Sequence, residues 1–195
     1  GTHVLLVGAD NDIVQYRALI SRGISDYLLK PLTIGAMIEA AERIFIDPDA
    51  PQLARVFAFY GAEGGVGAST VAENVTWAIG TVLEEDVTLV DLDLCFGTTA
   101  FAYNMEVTQG IEDILAAPDR IDEQLYQRFL LRYNEKVAIL GSRANLGNDS
   151  NIDPDSLAEA LNFIRQQTAN VVIDLPHIWS EWVRQVLIEA DEAVI

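Results

Sequence analysis

The hydrophobic positions of the chain alternate between short apolar runs and stripes with helical spacing. Five apolar runs have the length and composition of strands: Val4–Gly8, Arg55–Tyr60, Val87–Leu92, Lys136–Leu140 and Asn170–Leu175. Stripes such as Val71, Val75 and Val82 indicate amphipathic helices between these runs. Strands that are apolar throughout and alternate with helices are typical of a parallel sheet covered on both faces. The pattern therefore predicts an α/β fold.

A polar segment divides this pattern in two. Residues 47–52, D-P-D-A-P-Q, contain two prolines and show no periodicity, which is typical of a linker. We predict a first segment over 1–46, a linker over 47–54 and a larger domain over 55–195. The first segment begins in mid-pattern and the last strand, from Glu192, is cut off, so both ends are expected to be truncated.

Capping residues and stripes predict where the helices lie. Asp10 or Asn11 is expected to cap a helix that ends at Gly23, and Asp153 followed by Pro154 predicts another helix start. Further helices are expected around 34–45, 109–116, 122–133 and 179–190. In the last of these, we expect Trp179 in the buried stripe and Trp182 on a candidate partner surface.

Charge and cysteine content restrict the classes of partner and compartment. Twelve Lys and Arg residues stand against 30 Asp and Glu residues, a formal net charge of −18. Such a field repels nucleic acid and anionic lipid, while folded proteins, basic peptides or a metal-neutralised ligand remain open as partners. A single cysteine, Cys95, excludes an internal disulfide. No apolar run is long enough to cross a bilayer, so we expect a cytoplasmic chain without direct membrane insertion.

A glycine-rich loop follows the first strand of the larger domain. Gly64, Gly65 and Gly67 lie between that strand and a helix, where backbone N–H groups can close around an anion at the helix N-terminus. Ser69 stands where a phosphate-binding loop places the hydroxyl that holds Mg²⁺. The alternative is a tight strand–helix turn, because glycine also serves sharp backbone geometry.

Three carboxylates follow predicted strands. Asp91 and Asp93 stand at the end of one strand and Asp174 at the end of another. Ligands of open parallel sheets bind outside the carboxyl ends of the strands, so the three side chains favour a magnesium–phosphate site. The alternative is structural: each aspartate caps the helix or turn that follows it.

Three motifs resemble a known family of ATPases. The loop Glu63–Thr70, E-G-G-V-G-A-S-T, resembles the deviant Walker A loop of the ParA/MinD family, usually written K-G-G-V-G-K-T/S-T. Leu89–Gly97 resembles the second motif of that family, and Val171–Pro176 resembles its Walker B strand. The order of the motifs implies a P-loop fold of the ParA/MinD type over the larger domain, with ATP and Mg²⁺ as cofactors.

The resemblance carries site residues with it. The implied nucleotide-binding residues are Gly64, Gly65, Val66, Gly67, Ala68, Ser69 and Thr70. The implied Mg²⁺ ligands are Ser69, Asp91 and Asp174, and Asp93 aligns with the family residue that orients the attacking water, so it is the candidate catalytic residue.

A narrower resemblance is to the CpaE/TadZ branch, the pilus-assembly ATPase-like proteins. Asp91–Gly97, Ala117–Glu123 and Asp174–Trp182 look like that branch, and Gly23–Pro31 resembles the last strand of a flavodoxin-like receiver domain. The resemblance implies a receiver-like segment, of which 1–46 would be the C-terminal part. It also implies a homodimer, protein partners in a pilus-assembly machine, and recruitment to the cell pole or the inner face of the membrane through those partners.

Two departures from the family motif change the expected chemistry. Glu63 stands where the family has a lysine that reaches across a dimer, and Ala68 replaces the lysine that pairs with the β- and γ-phosphates. Phosphoryl transfer relies on positioned cations, so we expect a scaffold protein that binds Mg-ATP with little or no hydrolysis.

Two alternatives remain. The first is an active ATPase that cycles between monomer and dimer. The second is a signalling receiver that controls the ATPase-like half, although Gly8-Ala9 stands where a receiver has its switch threonine or serine. DNA partition is disfavoured by the negative charge.

Overall fold

The computed structural model of the chain describes residues 3–9, 12–45, 53–147 and 151–195. The chain forms two compact units, Gly1–Pro51 and Gln52–Ile195. Most of the linker predicted over 47–54 lies outside the described residues, and so do Asp10 and Asn11.

The smaller unit is a two-stranded parallel sheet with two helices. Its elements are β1 (Leu5–Gly8), α1 (Ile13–Ile20), β2 (Asp26–Leu29) and α2 (Ile34–Phe45). The N-cap of α1 is Asp12, whose carboxylate accepts hydrogen bonds from the N–H groups of Val14 and Gln15, at 2.8 and 3.4 Å. The prediction of a cap at Asp10 or Asn11 was therefore wrong by one or two positions. The Lys30–Pro31 peptide bond is cis.

The smaller unit exposes much of the apolar surface that its pattern predicted to be buried. Leu5 and Val7 of β1 are 40% and 41% exposed, and Ile34 and Ile38 of α2 are 79% and 53% exposed. The prediction that β1 is a buried strand was therefore wrong. A pattern of apolar residues shows which face of an element is suited to burial. Burial itself requires neighbouring elements, and few of them pack on these faces within the described residues.

The larger unit is built around a six-stranded sheet. Its strands are β3 (Arg55–Tyr60), β4 (Val87–Asp91), β5 (Leu131–Arg132), β6 (Val137–Leu140), β7 (Asn170–Leu175) and β8 (Glu192–Val194). Its helices are α3 (Ala68–Thr81), α4 (Thr99–Ala102), α5 (Ile111–Leu115), α6 (Glu123–Phe129), α7 (Pro154–Ile164) and α8 (Glu181–Glu189), with a 3-10 turn over Pro118–Arg120. The strand order is β5-β6-β4-β7-β3-β8 and every pair is parallel except β5–β6.

Hydrophobic side chains cover both faces of this sheet. On β3, Val56 and Ala58 belong to a buried cluster with Leu157 of α7, while Phe59 packs in a second cluster with Ala72 of α3. Successive strand residues point to opposite faces, so each strand contributes to both clusters. Burial of each large apolar side chain contributes about 1.5–3 kcal/mol. The predicted α/β fold with a mostly parallel, doubly covered sheet is confirmed.

The region before β6 differs from its prediction. The helix expected over 122–133 ends at Phe129, and Leu131–Arg132 forms β5, which pairs antiparallel with β6. A turn between these strands is held by Asn134, whose side-chain oxygen accepts hydrogen bonds from the N–H groups of Lys136 and Val137 at 2.8 and 2.7 Å. No helix among the described residues combines the length and the apolar character that crossing a membrane requires.

The two tryptophans near α8 exchange the positions predicted for them. Trp182 is 1% exposed, and Trp179 is 69% exposed with its ring edge-on to Tyr60 at a centroid distance of 5.8 Å. Ser180 is the N-cap of α8, so the helix begins two residues after Trp179. The buried stripe therefore consists of Trp182, Val183 and Val186.

Replacing Trp182 by alanine is expected to destabilise the larger unit by about 3–5 kcal/mol, the usual cost of truncating a buried large aromatic residue. The matched change Trp179→Ala removes an exposed ring and is expected to cost less than about 1 kcal/mol. Urea unfolding followed by circular dichroism gives both values. Equal losses in the two variants would contradict the assignment of Trp182 to the core.

Candidate functional site

The glycine loop joins β3 to α3 and presents the first turn of that helix. Gly65 and Gly67 have φ angles of +80° and +91°, a left-handed conformation that glycine adopts without a Cβ clash. Gly67 is also the N-cap of α3, and no side chain caps the helix. The N–H groups at the start of α3 therefore lack the partner that a capping side chain supplies, which suits them to an anion.

The strand register brings two of the predicted carboxylates together. β7 lies between β3 and β4, and Asp174 pairs in register with Phe59 on one side and with Asp91 on the other. Asp174 and Asp91 are only 2% and 1% exposed. The hydroxyl of Ser69, at the start of α3, lies near the Asp174 carboxylate and lowers its pKa. The structure thus places three of the predicted residues around one point at the carboxyl ends of the strands.

Asp91 already uses its carboxylate to hold the loop after β4. One oxygen, Oδ2, accepts hydrogen bonds from the N–H and the hydroxyl of Thr99, at 3.2 and 2.8 Å, and the other accepts from the N–H of Asp93, at 3.0 Å. These bonds match the structural alternative, in which an aspartate caps the turn that follows it. Asp174 differs, because its buried Oδ1 has no hydrogen-bond partner among the described residues.

Burial leaves this pair of carboxylates poorly solvated. Burial, followed by the negative charge of Asp91, raises the pKa of Asp174 to about 7. Burial likewise raises the pKa of Asp91 to about 6, against the hydrogen bonds from Thr99 and Asp93, which lower it. Two buried like charges favour a proton or a bound cation between them.

The residues fit a magnesium ion that a nucleotide brings with it. No cluster of three or more His, Cys, Asp or Glu side chains with metal-binding geometry occurs in the described part of the chain. Mg²⁺ at nucleotide sites commonly takes only one or two carboxylates and completes its shell with phosphate oxygens and water. Ser69 and the unpartnered oxygen of Asp174 meet that need, while Asp91 is occupied by its own loop.

A cleft of about 370 Å³ lies beside the glycine loop. Its wall includes Glu63, Ala68, Asp93 and His177, and none of its described lining residues is a lysine or an arginine. The ring nitrogen Nδ1 of His177 lies 2.7 Å from the carbonyl oxygen of Gly61. Because a carbonyl only accepts, this nitrogen carries the hydrogen and anchors the ring to the loop.

The remaining predicted residues also line or border the cleft. Gly65, Val66, Gly67 and Thr70 belong to its wall, and Gly64 lies close enough to His177 that a Cβ there would be 3.8 Å from the ring. Asp93 faces the same cleft, and its Oδ1 accepts a hydrogen bond from the N–H of Phe96 at 2.9 Å.

One acidic residue near the site was missed from the sequence. Glu73 is half-buried, and its negative charge raises the pKa of Asp174. Burial, followed by the charge of Asp91, also raises the pKa of Glu73 itself. Ser69 and Glu73 are four residues apart on α3, a spacing that places both on one helix face. That spacing is the signal from which its position could have been inferred.

The fold and the loop relate this chain to the ParA/MinD-like family of P-loop ATPases. The ParA family ATPase of Chlorobium tepidum TLS superposes with a TM-score of 0.64 and 26% identity, over 71% of this chain and 58% of that one. The cell division ATPase MinD of Pyrococcus furiosus gives a TM-score of 0.60, 20% identity and coverages of 72% and 58%. MinD from Pyrococcus horikoshii OT3, complexed with Mg-ADP, gives a TM-score of 0.60 and 22% identity. The match covers 72% of this chain and 56% of that one.

A family model gives a narrower assignment than the ParA/MinD-like class. The model of the family described as cellulose biosynthesis protein BcsQ matches residues 54–195, and the chain belongs to this family. No curated protein sequence matches the chain. The chain spans a little over half the length of the similar ParA and MinD structures.

The contribution of Asp174 to the free energy of unfolding is expected to fall as pH rises from about 4 towards about 8. The folded state raises the pKa of Asp174 from 3.8 to about 7, so it binds the proton more tightly than the unfolded chain does and loses that advantage as the proton leaves. Asp174→Asn cannot ionise. The free energy of unfolding of Asp174→Asn, relative to that of the wild type, should therefore increase by up to about 4 kcal/mol as the pH rises over this range. This value corresponds to about 1.4 kcal/mol per pKa unit.

Urea unfolding at several pH values measures this difference. Asp119→Asn, which removes an exposed carboxylate, is the control and is expected to track the wild type. Parallel curves for the wild type and Asp174→Asn would show that folding does not raise the pKa of Asp174 and would contradict the description of a poorly solvated pair.

Proposed function

We propose that the chain is a localisation and scaffold protein whose ATPase-like domain binds Mg-ATP and dimerises with little or no hydrolysis. The carrying observation is a cleft that keeps the backbone and magnesium-binding residues of a nucleotide site while lacking its cations. Gly67 leaves the start of α3 uncapped and Ser69 adjoins Asp174. Glu63 and Ala68 line the cleft at the positions where the ParA/MinD motif has lysine.

Electrostatics separates binding from turnover in such a cleft. Two unit charges about 4 Å apart interact by about 4 kcal/mol at an effective dielectric constant of about 20. Glu63 and Asp93 therefore repel a triphosphate that lysines would attract, and Mg²⁺ has to supply most of the compensating charge. Binding through backbone N–H groups and Mg²⁺ survives this loss, whereas hydrolysis needs further cations where charge develops. Asp93, as the residue that would orient water, supports slow turnover at most.

A second copy of the chain is the proposed partner at this face. Exposed apolar side chains follow the carboxyl ends of three strands around the cleft: Val66, Phe96 and Trp179, at 58%, 68% and 69% exposure. Apolar residues grouped beside a ligand cleft are typical of an interaction surface. One of the similar structures is a MinC:MinD cell division protein complex from Aquifex aeolicus, in which a protein of this fold is bound to a different protein.

The proposed machine is a pilus-assembly apparatus at the cell pole or the inner face of the membrane. The CpaE/TadZ-like motifs support this assignment, and so does the smaller unit, which we propose to be a receiver-like interaction module. There, Lys30 and Pro31 follow β2 as the lysine and proline of a receiver follow its last strand. The family match favours a second candidate, since its members are described as cellulose biosynthesis proteins.

Calorimetric titration of Mg-ATP into the chain is expected to show micromolar binding without measurable phosphate release. Ala68→Lys restores one cation at the start of α3, so it is expected to tighten binding about tenfold, or about 1.4 kcal/mol. Glu63→Lys should act in the same direction. Glu159→Lys makes the same change in net charge as Glu63→Lys, and a larger one than Ala68→Lys, at an exposed position of α7 and serves as the control.

Each outcome of this titration has a definite meaning. No heat from the wild type or from Ala68→Lys at millimolar Mg-ATP would overturn the nucleotide proposal. Rapid phosphate release by the wild type would instead favour the cycling ATPase. Equal tightening in Glu159→Lys would show an effect of net charge rather than of the cleft.

Deletion of the gene in its own organism distinguishes a role in pilus assembly from a role in cellulose biosynthesis. Loss of surface pili with unchanged cellulose is the expected result. Complementation with Trp182→Ala, which is expected to destabilise the fold, should fail, whereas Trp179→Ala reports whether the exposed surface is needed. Loss of cellulose with normal pili would overturn the pilus assignment in favour of the second candidate.

A further inference from the structure

A second cleft lies along α3 and shares no described lining residue with the cleft beside the glycine loop. It has a volume of about 370 Å³ and is lined by three aromatic residues, Trp77, Tyr103 and Tyr133, together with the acidic residue Glu73. This volume lies within the range of about 300–1,000 Å³ that ligand pockets occupy. The nucleotide function proposed above makes no use of this cleft.

The aromatic wall of the cleft is held in place by its own contacts. The rings of Tyr103 and Tyr133 pack edge to face, with centroids 5.0 Å apart and an interplanar angle of 69°. The Tyr103 hydroxyl donates a hydrogen bond to the backbone carbonyl of Glu73 at 2.7 Å. Trp77 and Tyr133 are 43% and 45% exposed, so ring surface remains open to a ligand in the cleft.

The polar groups of the cleft present negative charge and acceptor atoms. The Glu73 carboxylate is half-buried and lies near the Tyr103 hydroxyl, whose pKa is raised by burial and next by the charge of Glu73. The side-chain nitrogen of Asn74 donates to the carbonyl of Thr70 at 2.7 Å, which orients the amide and leaves its oxygen as the acceptor end. Aromatic faces are also electronegative.

We propose that this cleft binds an arginine side chain from a basic segment of a partner protein. A guanidinium group stacks on aromatic rings and donates paired hydrogen bonds to a carboxylate, so Trp77, Tyr133 and Glu73 together match its chemistry. The net charge of −18 draws basic partners towards the chain and repels nucleic acid and anionic membranes. Lysine fits less well, because its ammonium group is compact and strongly hydrated.

A two-dimensional ¹H–¹⁵N NMR titration of the chain tests this inference through its tryptophans. The chain contains three, Trp77, Trp179 and Trp182, and Trp77→Phe assigns the indole signal of the first. The probe is the peptide Ac-Ala-Arg-Ala-NH2, compared with the same peptide carrying citrulline, a neutral molecule of nearly the same shape. We expect the arginine peptide to shift the Trp77 signal with millimolar half-saturation, at least about tenfold more tightly than the citrulline peptide, a difference of about 1.4 kcal/mol.

The variants separate the cleft from general acidity. Glu73→Gln should weaken the response at least about fivefold, while Glu159→Gln, an exposed change on another helix, should leave it unchanged. Tyr133→Leu, at a partly exposed hairpin position, should weaken it as well and provides a second test if Glu73→Gln does not fold. These experiments need no nucleotide, so their failure leaves the proposed Mg-ATP binding untouched.

Three results would overturn the inference. They are equal responses to the arginine and citrulline peptides, shifts of the exposed Trp179 as large as those of Trp77, and an unmoved Trp77 signal at the highest peptide concentration. A response that survives both Glu73→Gln and Tyr133→Leu would also do so.

Discussion

Repulsion between two buried carboxylates is the constraint around which the candidate site is arranged. Asp91 and Asp174 end neighbouring parallel strands and lie directly opposite each other in the register. The two carboxylates differ in their hydrogen bonds. Asp91 accepts three, from Asp93 and Thr99, whereas Asp174 has one oxygen without a partner among the described residues. A proton or a metal ion can therefore complete the site, so protonation and binding of the proposed Mg²⁺ are alternative states of the same pair.

The glycine loop adds attraction of a different kind. Its contribution comes from backbone N–H groups and the α3 terminus, which no substitution of a side chain removes. The charged side chains near the loop, Glu63 and Asp93, act against an anion. A cleft with fixed backbone attraction and opposing side chains depends on its counter-ion far more than the lysine-containing loop of the ParA/MinD motif does. This dependence makes the proposed binding of nucleotide compatible with the proposed loss of hydrolysis.

The sequence predicted the features that follow from strand ends and glycine geometry. Parallel strands bring their carboxyl ends to one edge, so the position of Asp91 and Asp174 at that edge was predictable, whereas their direct pairing depends on the strand order. The sequence did not predict features that change when a helix starts one or two residues later. Because Ser180 caps α8, the helix starts after Trp179, and the burial of Trp179 and Trp182 is the reverse of the prediction. β5 has only two residues, too few to show a period. The exposure of Ile34 was also hidden, since burial depends on neighbours that the pattern of one helix does not contain.

The shortness of β5 also limits how the sheet can associate. Edge strands offer unpaired backbone groups to neighbouring molecules, and long exposed edges lead to strand-by-strand aggregation. At this edge a neighbour would find two residues, one of them the exposed, charged Arg132, and then the turn held by Asn134. Crowded copies of the chain thus have no continuous template for fibre growth on this side.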